Sequence, residues 1–170
     1  METVVRMGEA FASRTPGDAL ACIGLGSCIG LALVDRSQGV AALAHVMLPV
    51  AAQPDPPQRF KFADLAVPAL IALAVEHGAL RTRLEGVLVG GAAMFQFGGS
   101  GQDIGARNAE AVTRLLEQSH VPVTATATGG GIGRTIRVHV GADMHVTARE
   151  AGGREEHLLG APLAGKVAYA

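Results

Sequence analysis

The sequence is poor in cysteine and in charged residues. It contains two cysteines in 170 residues, and 17% of its residues are charged. Two cysteines make a poor disulfide framework, which favours a cytosolic chain that holds free thiols. The formal net charge is -1 and the isoelectric point is about 6.6. This balance lacks the basic surplus that is typical of nucleic-acid-binding proteins, and no basic amphipathic run indicates binding to a membrane surface.

Long apolar runs are also missing. The longest one, Leu65 to Val75, is too short to span a bilayer. The N-terminal segment METVVRMGEAFAS has no basic region followed by an apolar stretch, so it does not predict a signal peptide. We therefore expect a cytoplasmic location, which still allows a membrane protein with a cytoplasmic part as the partner.

The chain has the composition of a globular domain. Hydrophobic residues make up 49% of it, and 170 residues suffice for one usable core. The apolar patterns predict strands, then a helix over Phe62 to Gly78, a strand, a helix over Ala106 to Ser119, and further strands. Because strands follow one another at both ends, the order predicts a layered α+β fold with a mixed sheet rather than a doubly wound parallel one. We assign residues 1–150 to this domain and the Ala/Gly-rich residues 151–170 to a loosely held extension.

Two neighbouring apolar runs have the pattern of a β-hairpin. They are Cys28 to Val34 and Val40 to Leu48, and the polar segment Asp35 to Gly39 separates them. If the turn centres between residues 36 and 37, Cys28 lies directly across from His45. Directly paired residues share a face of the sheet, with Cβ atoms about 5 Å apart. A register shift by two keeps the pair on one face, and a shift by one separates it.

Cys28 and His45 would then form a nucleophile–base pair. In this hypothesis an imidazolium stabilises the thiolate, the thiolate attacks a carboxamide carbon, and His45 protonates the departing ammonia. The backbone of Gly26 and Ser27 is expected to donate to the developing oxyanion. The alternatives are a cysteine that packs as a small apolar residue and a core histidine bonded to a backbone carbonyl. A third group that orients the histidine is expected but is not visible in the sequence.

Several segments in a fixed order carry a resemblance to a known family. They are Gly24-Leu-Gly-Ser-Cys28, Ala44-His-Val-Met-Leu-Pro49, Phe62-Ala-Asp64, Gly90-Gly-Ala-Ala-Met-Phe95, Ile104-Gly-Ala-Arg-Asn108 and Thr128-Gly-Gly130. Together they extend over residues 7–147 and closely resemble the chemoreceptor glutamine deamidase (CheD) family.

The resemblance implies a fold, a reaction and partners. It implies an α/β sandwich related to the cytotoxic necrotising factor toxins, with the nucleophile at Cys28 and the base at His45. The implied substrates are methyl-accepting chemotaxis receptors, whose glutamines become methylatable glutamates, and some members also bind the CheC phosphatase. Family members commonly have a threonine, implicated in the active site, at the position of Cys22. The acidic residue often found before the Thr-Gly-Gly segment is Ala127 in this chain. We expect no cofactor and no metal.

The glycine-rich segments and the other histidines admit different interpretations. Gly90-Gly91 and Gly129 to Gly133 could suggest phosphate or dinucleotide binding, but neither is part of a full fingerprint, which favours backbone turns and close packing. His139 and His145 lie near separate strands without ligand spacing, which favours structural roles over a zinc site.

Two further alternatives concern the second helix and the function as a whole. Helix capping and surface pairing explain Asp103, Arg107 and Asn108 as well as a functional role does. The second functional hypothesis is a regulatory module that docks on receptors or on a phosphatase and has little catalysis. Cys22 favours this hypothesis, while the presence of both Cys28 and His45 argues against it.

Overall fold

The structure is a computed structural model that describes residues 1–94 and 103–160. Phe95, the last residue of one family motif, and residues 161–170 of the expected extension lie outside the described residues.

Within the described residues the chain forms ten strands, two α-helices and two short 3-10 turns. The strands are β1 Glu2–Val4, β2 Ala10–Ser13, β3 Ala19–Leu25, β4 Ile29–Asp35, β5 Val40–Val46, β6 Glu85–Gly90, β7 Val123–Thr128, β8 Arg134–His139, β9 His145–Glu150 and β10 Glu155–Leu159. The α-helices are α1 Ala63–Glu76 and α2 Ile104–Gln118, and the 3-10 turns are Arg59–Lys61 and Arg81–Arg83.

The strands form two mixed sheets. The first sheet has the order β1-β3-β8-β9-β10 and the second has the order β2-β5-β4-β6-β7. Each sheet contains one parallel pair, β1 with β3 and β6 with β7, and its other pairs are antiparallel. The predicted α+β class with two main helices is confirmed, and the layers include two sheets.

The second sheet is the middle layer of the molecule. Its outer face packs against α1 and α2 in one apolar cluster, and its inner face packs against the first sheet in another. Strands β4 and β5 are therefore covered on both faces, and each of their residues is buried. This explains why their sequences are continuous apolar runs without polar alternation. None of the helices in the described ranges is long and apolar enough to cross a membrane.

The β4–β5 hairpin forms with a register that differs by two residues from the prediction. His45 lies opposite Gly30, and Cys28 precedes the first paired residue of β4. The difference arises in the turn, where the Asp35 carboxylate accepts hydrogen bonds from Ser37 N–H (2.9 Å), the Ser37 hydroxyl (2.6 Å) and Gln38 N–H (3.2 Å). These bonds move the centre of the turn toward the C-terminus. The predicted direct pairing is thus wrong, and the shift by two keeps Cys28 and His45 on one face.

Two strands have no counterpart in the sequence patterns. Strand β2 is a short edge strand on β5, and β10 pairs with β9 at an edge of the first sheet. Strand β10 lies within the segment expected to be loosely held, so the ladder of the first sheet extends to Leu159. The apolar pattern does not predict this strand, because its first three residues, Glu155, Glu156 and His157, are polar and exposed.

Candidate active site

Cys28 lies in the turn that carries the chain from β3 in the first sheet to β4 in the second. Donors from other parts of the chain hold three successive carbonyl groups of this turn. The contacts are Ala92 N–H to the Gly26 carbonyl at 2.8 Å, Asn108 Nδ2 to the Ser27 carbonyl at 2.9 Å, and Gly91 N–H to the Cys28 carbonyl at 2.9 Å. The backbone of the turn is therefore fixed from outside on each side of the thiol.

The same contacts fix the amide groups of the turn. A trans peptide directs its C=O and N–H in opposite directions. The bond to the Gly26 carbonyl therefore orients the Ser27 N–H, and the bond to the Ser27 carbonyl orients the Cys28 N–H. Neither N–H group has an acceptor among the residues that the structure describes. Two fixed N–H groups beside a nucleophile are what an oxyanion hole requires. The groups that these contacts orient belong to Ser27 and Cys28, whereas the sequence led us to expect Gly26 and Ser27.

His45 is held in β5 with one ring nitrogen in a defined state. The residue is 6% exposed, and its Nδ1 lies 3.1 Å from the carbonyl oxygen of Val5. Because a carbonyl only accepts, Nδ1 carries the proton, and Nε2 is left as a proton acceptor. The Val5 carbonyl is therefore the group that orients the imidazole.

Burial sets the protonation of both side chains. It lowers the pKa of His45, and the bond to the Val5 carbonyl and the charge of Glu9 offset part of this effect. It raises the pKa of the Cys28 thiol. The two directions favour a neutral thiol and a neutral imidazole at rest, which differs from the expected thiolate beside an imidazolium. No hydrogen bond joins Cys28 to His45 within the described ranges; such bonds often tighten only when substrate binds.

Cys22 lies in β3, fully buried between the two sheets. Its Cβ is 3.5 Å from the point where a side chain on Gly30 would begin. Burial raises the pKa of the Cys22 thiol, and the nearby Cys28 raises it further. Both cysteines are free thiols. At this position the chain thus carries a protonated thiol, while the hydrogen bond that orients His45 comes from the Val5 backbone.

The Gly90-Gly91 pair allows the backbone after β6 to approach the Cys28 turn. A Cβ on Gly90 would lie 2.1 Å from the Cys28 carbonyl oxygen, and a Cβ on Gly91 would lie 2.8 Å from the Gly105 carbonyl oxygen. Both glycines have a positive φ. Their role in this structure is close packing, as the sequence interpretation favoured, and this packing brings the Gly91 and Ala92 N–H groups to the turn.

Two open pockets adjoin the turn, and both include Met94 in their lining. One has a volume of about 290 Å³ and includes Gly26, Ser27 and Asp103 in its lining. The other has a volume of about 430 Å³, and its lining includes the cationic Arg134, Arg137 and Arg149 together with the anionic Glu150. Arg134 and Glu150 form an ion pair at 3.3 Å. Met94 is 48% exposed and places an apolar side chain at this edge.

The other candidates of the sequence lie in different surroundings. His139 and His145 are directly paired on β8 and β9, and their rings stack at 4.2 Å between centroids. No group of three potential metal ligands converges in the described part of the chain. The Asp103 side chain caps α2 by accepting a hydrogen bond from Ala106 N–H at 3.0 Å, as one interpretation held. Asn108 contradicts the interpretation as a surface or capping residue, because it is fully buried.

The fold thus brings Cys28, His45, Cys22 and the Gly26-Ser27 backbone to one end of the interface between the sheets. Sequence reasoning missed the Val5 carbonyl, since a backbone group has no residue signature. It left Asn108 open between a functional role and capping or surface pairing, and did not use the fact that this residue lies four positions before Val112 on the buried face of α2. That spacing was the available signal.

A thiol and an imidazole on one face, beside two N–H groups that have no acceptor in residues 1–94 and 103–160, are the chemical groups that cysteine-dependent amide hydrolases use. Comparison with known proteins agrees with this class. The family model described as CheD chemotactic sensory transduction matches residues 47–150. The chain belongs to the CheD family.

Curated relatives match over most of the chain and carry the name probable chemoreceptor glutamine deamidase CheD. The protein of Moorella thermoacetica is 43% identical over 139 residues, which are 79% of this chain and 83% of the relative. That of Symbiobacterium thermophilum is 38% identical over 161 residues, 91% of this chain and 95% of the relative. That of Geobacillus kaustophilus is 46% identical over 118 residues, 66% of this chain and 72% of the relative.

Proposed function

We propose that this chain is a protein-glutamine deamidase that converts glutamine side chains of methyl-accepting chemotaxis receptors to glutamates. The observation that carries the proposal is the common face of Cys28 and His45, with the imidazole Nε2 free to accept a proton. The relatives' name, chemoreceptor glutamine deamidase, supports both the reaction and the substrate class.

The first half of the reaction forms a thioester. The glutamine carboxamide binds with its oxygen toward the N–H groups of Ser27 and Cys28. As the Cys28 sulfur attacks the carboxamide carbon, His45 Nε2 takes the thiol proton, so that a thiolate need not accumulate beforehand. The tetrahedral intermediate places negative charge on its oxygen, where the two N–H groups stabilise it. Its collapse breaks the C–N bond, and His45 gives its proton to the nitrogen, which leaves as ammonia.

The second half hydrolyses the thioester. Water enters where ammonia left, and His45 Nε2 accepts one of its protons during attack on the thioester carbon. The same N–H groups stabilise the second oxyanion. The C–S bond then breaks, the proton returns to the sulfur, and a glutamate side chain leaves. The hydrogen bond from Nδ1 to the Val5 carbonyl stabilises the imidazolium formed in each half.

The partner in this proposal is the cytoplasmic part of a receptor, and the chain acts in the cytoplasm. A CheC-type phosphatase is a second proposed partner, which binding measurements with the purified proteins would test.

The experiment is an assay of ammonia release from a purified receptor cytoplasmic fragment. Wild-type protein is expected to release ammonia, and folded Cys28→Ala protein is expected to release none. Binding of the fragment without any release of ammonia by the wild type would reject the deamidase and favour the regulatory module. Release by folded Cys28→Ala would remove Cys28 from the role of nucleophile.

A further inference from the structure

We propose that Asn108 is a positioning residue of the deamidation reaction, and that it orients the peptide group whose N–H binds the oxyanion. This inference rests on the proposed function. It adds a residue of α2 to a site whose two reacting side chains lie in the β3–β4 turn and in β5.

Asn108 joins the two segments that carry the reacting side chains. It lies in the second turn of α2 and is fully buried. Its Nδ2 donates to the Ser27 carbonyl at 2.9 Å and to the Met47 carbonyl at 2.8 Å. Ser27 directly precedes Cys28, and Met47 follows His45 by two positions. One amide group therefore connects the nucleophile turn to the end of the base strand.

The bond to Ser27 acts on the Cys28 amide through a single rigid unit. The Ser27 carbonyl and the Cys28 N–H belong to one planar peptide group and point in opposite directions. Holding the oxygen at 2.9 Å therefore fixes the direction in which the N–H points. Without this bond the peptide group could rotate about its two flanking single bonds, and the N–H would lose its alignment.

The unpaired atom of the side chain argues against a purely stabilising role. Asn108 Oδ1 is buried and has no hydrogen-bond partner among the described residues. A buried polar atom without a partner costs about 1–3 kcal/mol, which offsets part of what the two donated bonds contribute. Stability alone therefore does not explain an asparagine at this position, whereas its amide donates to the Ser27 and Met47 carbonyls of the site.

The helix that carries Asn108 packs closely against the segment after β6. A Cβ on Gly105 would lie 2.5 Å from the carbonyl carbon and oxygen of Gly91, so the helix backbone touches the segment that donates to the Cys28 carbonyl. A positioning group acts well only if its own support is rigid. The contact between Gly105 and Gly91 supplies that support.

The test compares two reactions of the same thiol. Deamidation builds an oxyanion, whereas alkylation of Cys28 by iodoacetamide displaces iodide at a saturated carbon and builds none. Asn108→Ala is expected to lower kcat for deamidation of a receptor fragment by about 10- to 100-fold, with little change in KM. The rate of Cys28 alkylation is expected to stay within about twofold of wild type, because it depends on the thiol and on access to it.

A second variant and a control separate positioning from folding. Asn108→Ser keeps one shorter donor and is expected to show a smaller loss of kcat, so it serves if Asn108→Ala does not fold. Thr147→Val removes the hydrogen bond from the buried Thr147 hydroxyl to the exposed Glu155 on the first sheet and is expected to leave both rates unchanged. Thermal unfolding measures the fold of each variant.

Two results would overturn the inference. One is a folded Asn108 variant with the kcat of the wild type, and the other is a parallel loss of deamidation and alkylation, which indicates a general disturbance of the site. An inactive wild type would instead reject the proposed function, so the two failures are distinguishable.

Discussion

Replacing Gly90 by alanine would disturb the nucleophile turn by an amount that follows from the structure. The new Cβ would lie 2.1 Å from the Cys28 carbonyl oxygen, and neither atom can turn away, because the Cβ is fixed to the Gly90 Cα and the oxygen is a backbone atom. A carbon and an oxygen in van der Waals contact lie farther apart, so the two segments must separate by about 1 Å. The Gly91 N–H bond to the Cys28 carbonyl lies beside this contact and would be stretched or lost.

The expected effects differ in size for stability and for activity. Gly90 has a φ of 115°, where an alanine costs about 1–3 kcal/mol in backbone strain. Overpacking adds about 1–3 kcal/mol. A displacement of about 1 Å at the reacting groups is expected to lower kcat by about 100-fold. Deamidation of a receptor fragment and thermal unfolding measure the two effects.

Gly17→Ala is the matched control for this experiment. Gly17 has a φ of 93° in the turn before β3, and no atom lies within 4 Å of its added Cβ. It therefore carries the backbone strain without the clash, and it is expected to lose stability while keeping its kcat. Equal kcat values for Gly90→Ala and Gly17→Ala would refute the reasoning that this close contact shapes the turn.

Three further variants test other parts of the account. His45→Ala is expected to lower kcat/KM by about 10²–10⁴-fold. Because burial lowers the pKa of His45, the kcat/KM of the wild type should fall on the acid side with a midpoint below pH 6.5. A midpoint above pH 6.5 would contradict the assignment of His45 as the base. Cys22→Thr is expected to stay active. Peroxide is expected to inactivate wild type and Cys22→Ser equally, because the buried Cys22 thiol stays protonated and unreactive. A Cys22–Cys28 disulfide found by mass spectrometry after peroxide treatment would refute this. Asp35→Ala is expected to lower the free energy of unfolding by about 3 kcal/mol and Tm by about 10 °C, because the donors of the hairpin turn and the Leu80 N–H, which lies 2.7 Å from the carboxylate, lose their acceptor. An unchanged melting curve would contradict the structural role of Asp35.

The sequence predicted the strands that carry the site better than the register in which they pair. The apolar runs on either side of Asp35 revealed the hairpin, because both strands are buried on both faces. Its register depends on which N–H groups the Asp35 side chain accepts from, and residue counting does not contain that information. Cys28 and His45 still share a face, because the error in register is an even number of residues.

Other features were hidden for different physical reasons. Protonation states depend on burial, so the sequence suggested a thiolate beside an imidazolium where the structure favours neutral groups. The oxyanion-binding turn depends on carbonyl anchors from Gly91, Ala92 and Asn108, which lie far from it in sequence. All three stand in segments that carry the family resemblance, and Asn108 also occupies an apolar-spaced position of its helix, but neither pattern shows which carbonyl group each one binds.

The central claim is that the Cys28 thiol of this chain converts receptor glutamines to glutamates. Mass spectrometry of a receptor cytoplasmic fragment, incubated with wild-type protein and in parallel with folded Cys28→Ala protein, tests it most directly. The account predicts that specific glutamines become glutamates with the wild type and stay glutamines with the variant. Unchanged glutamines with the wild type, or equal conversion by both proteins, would contradict it.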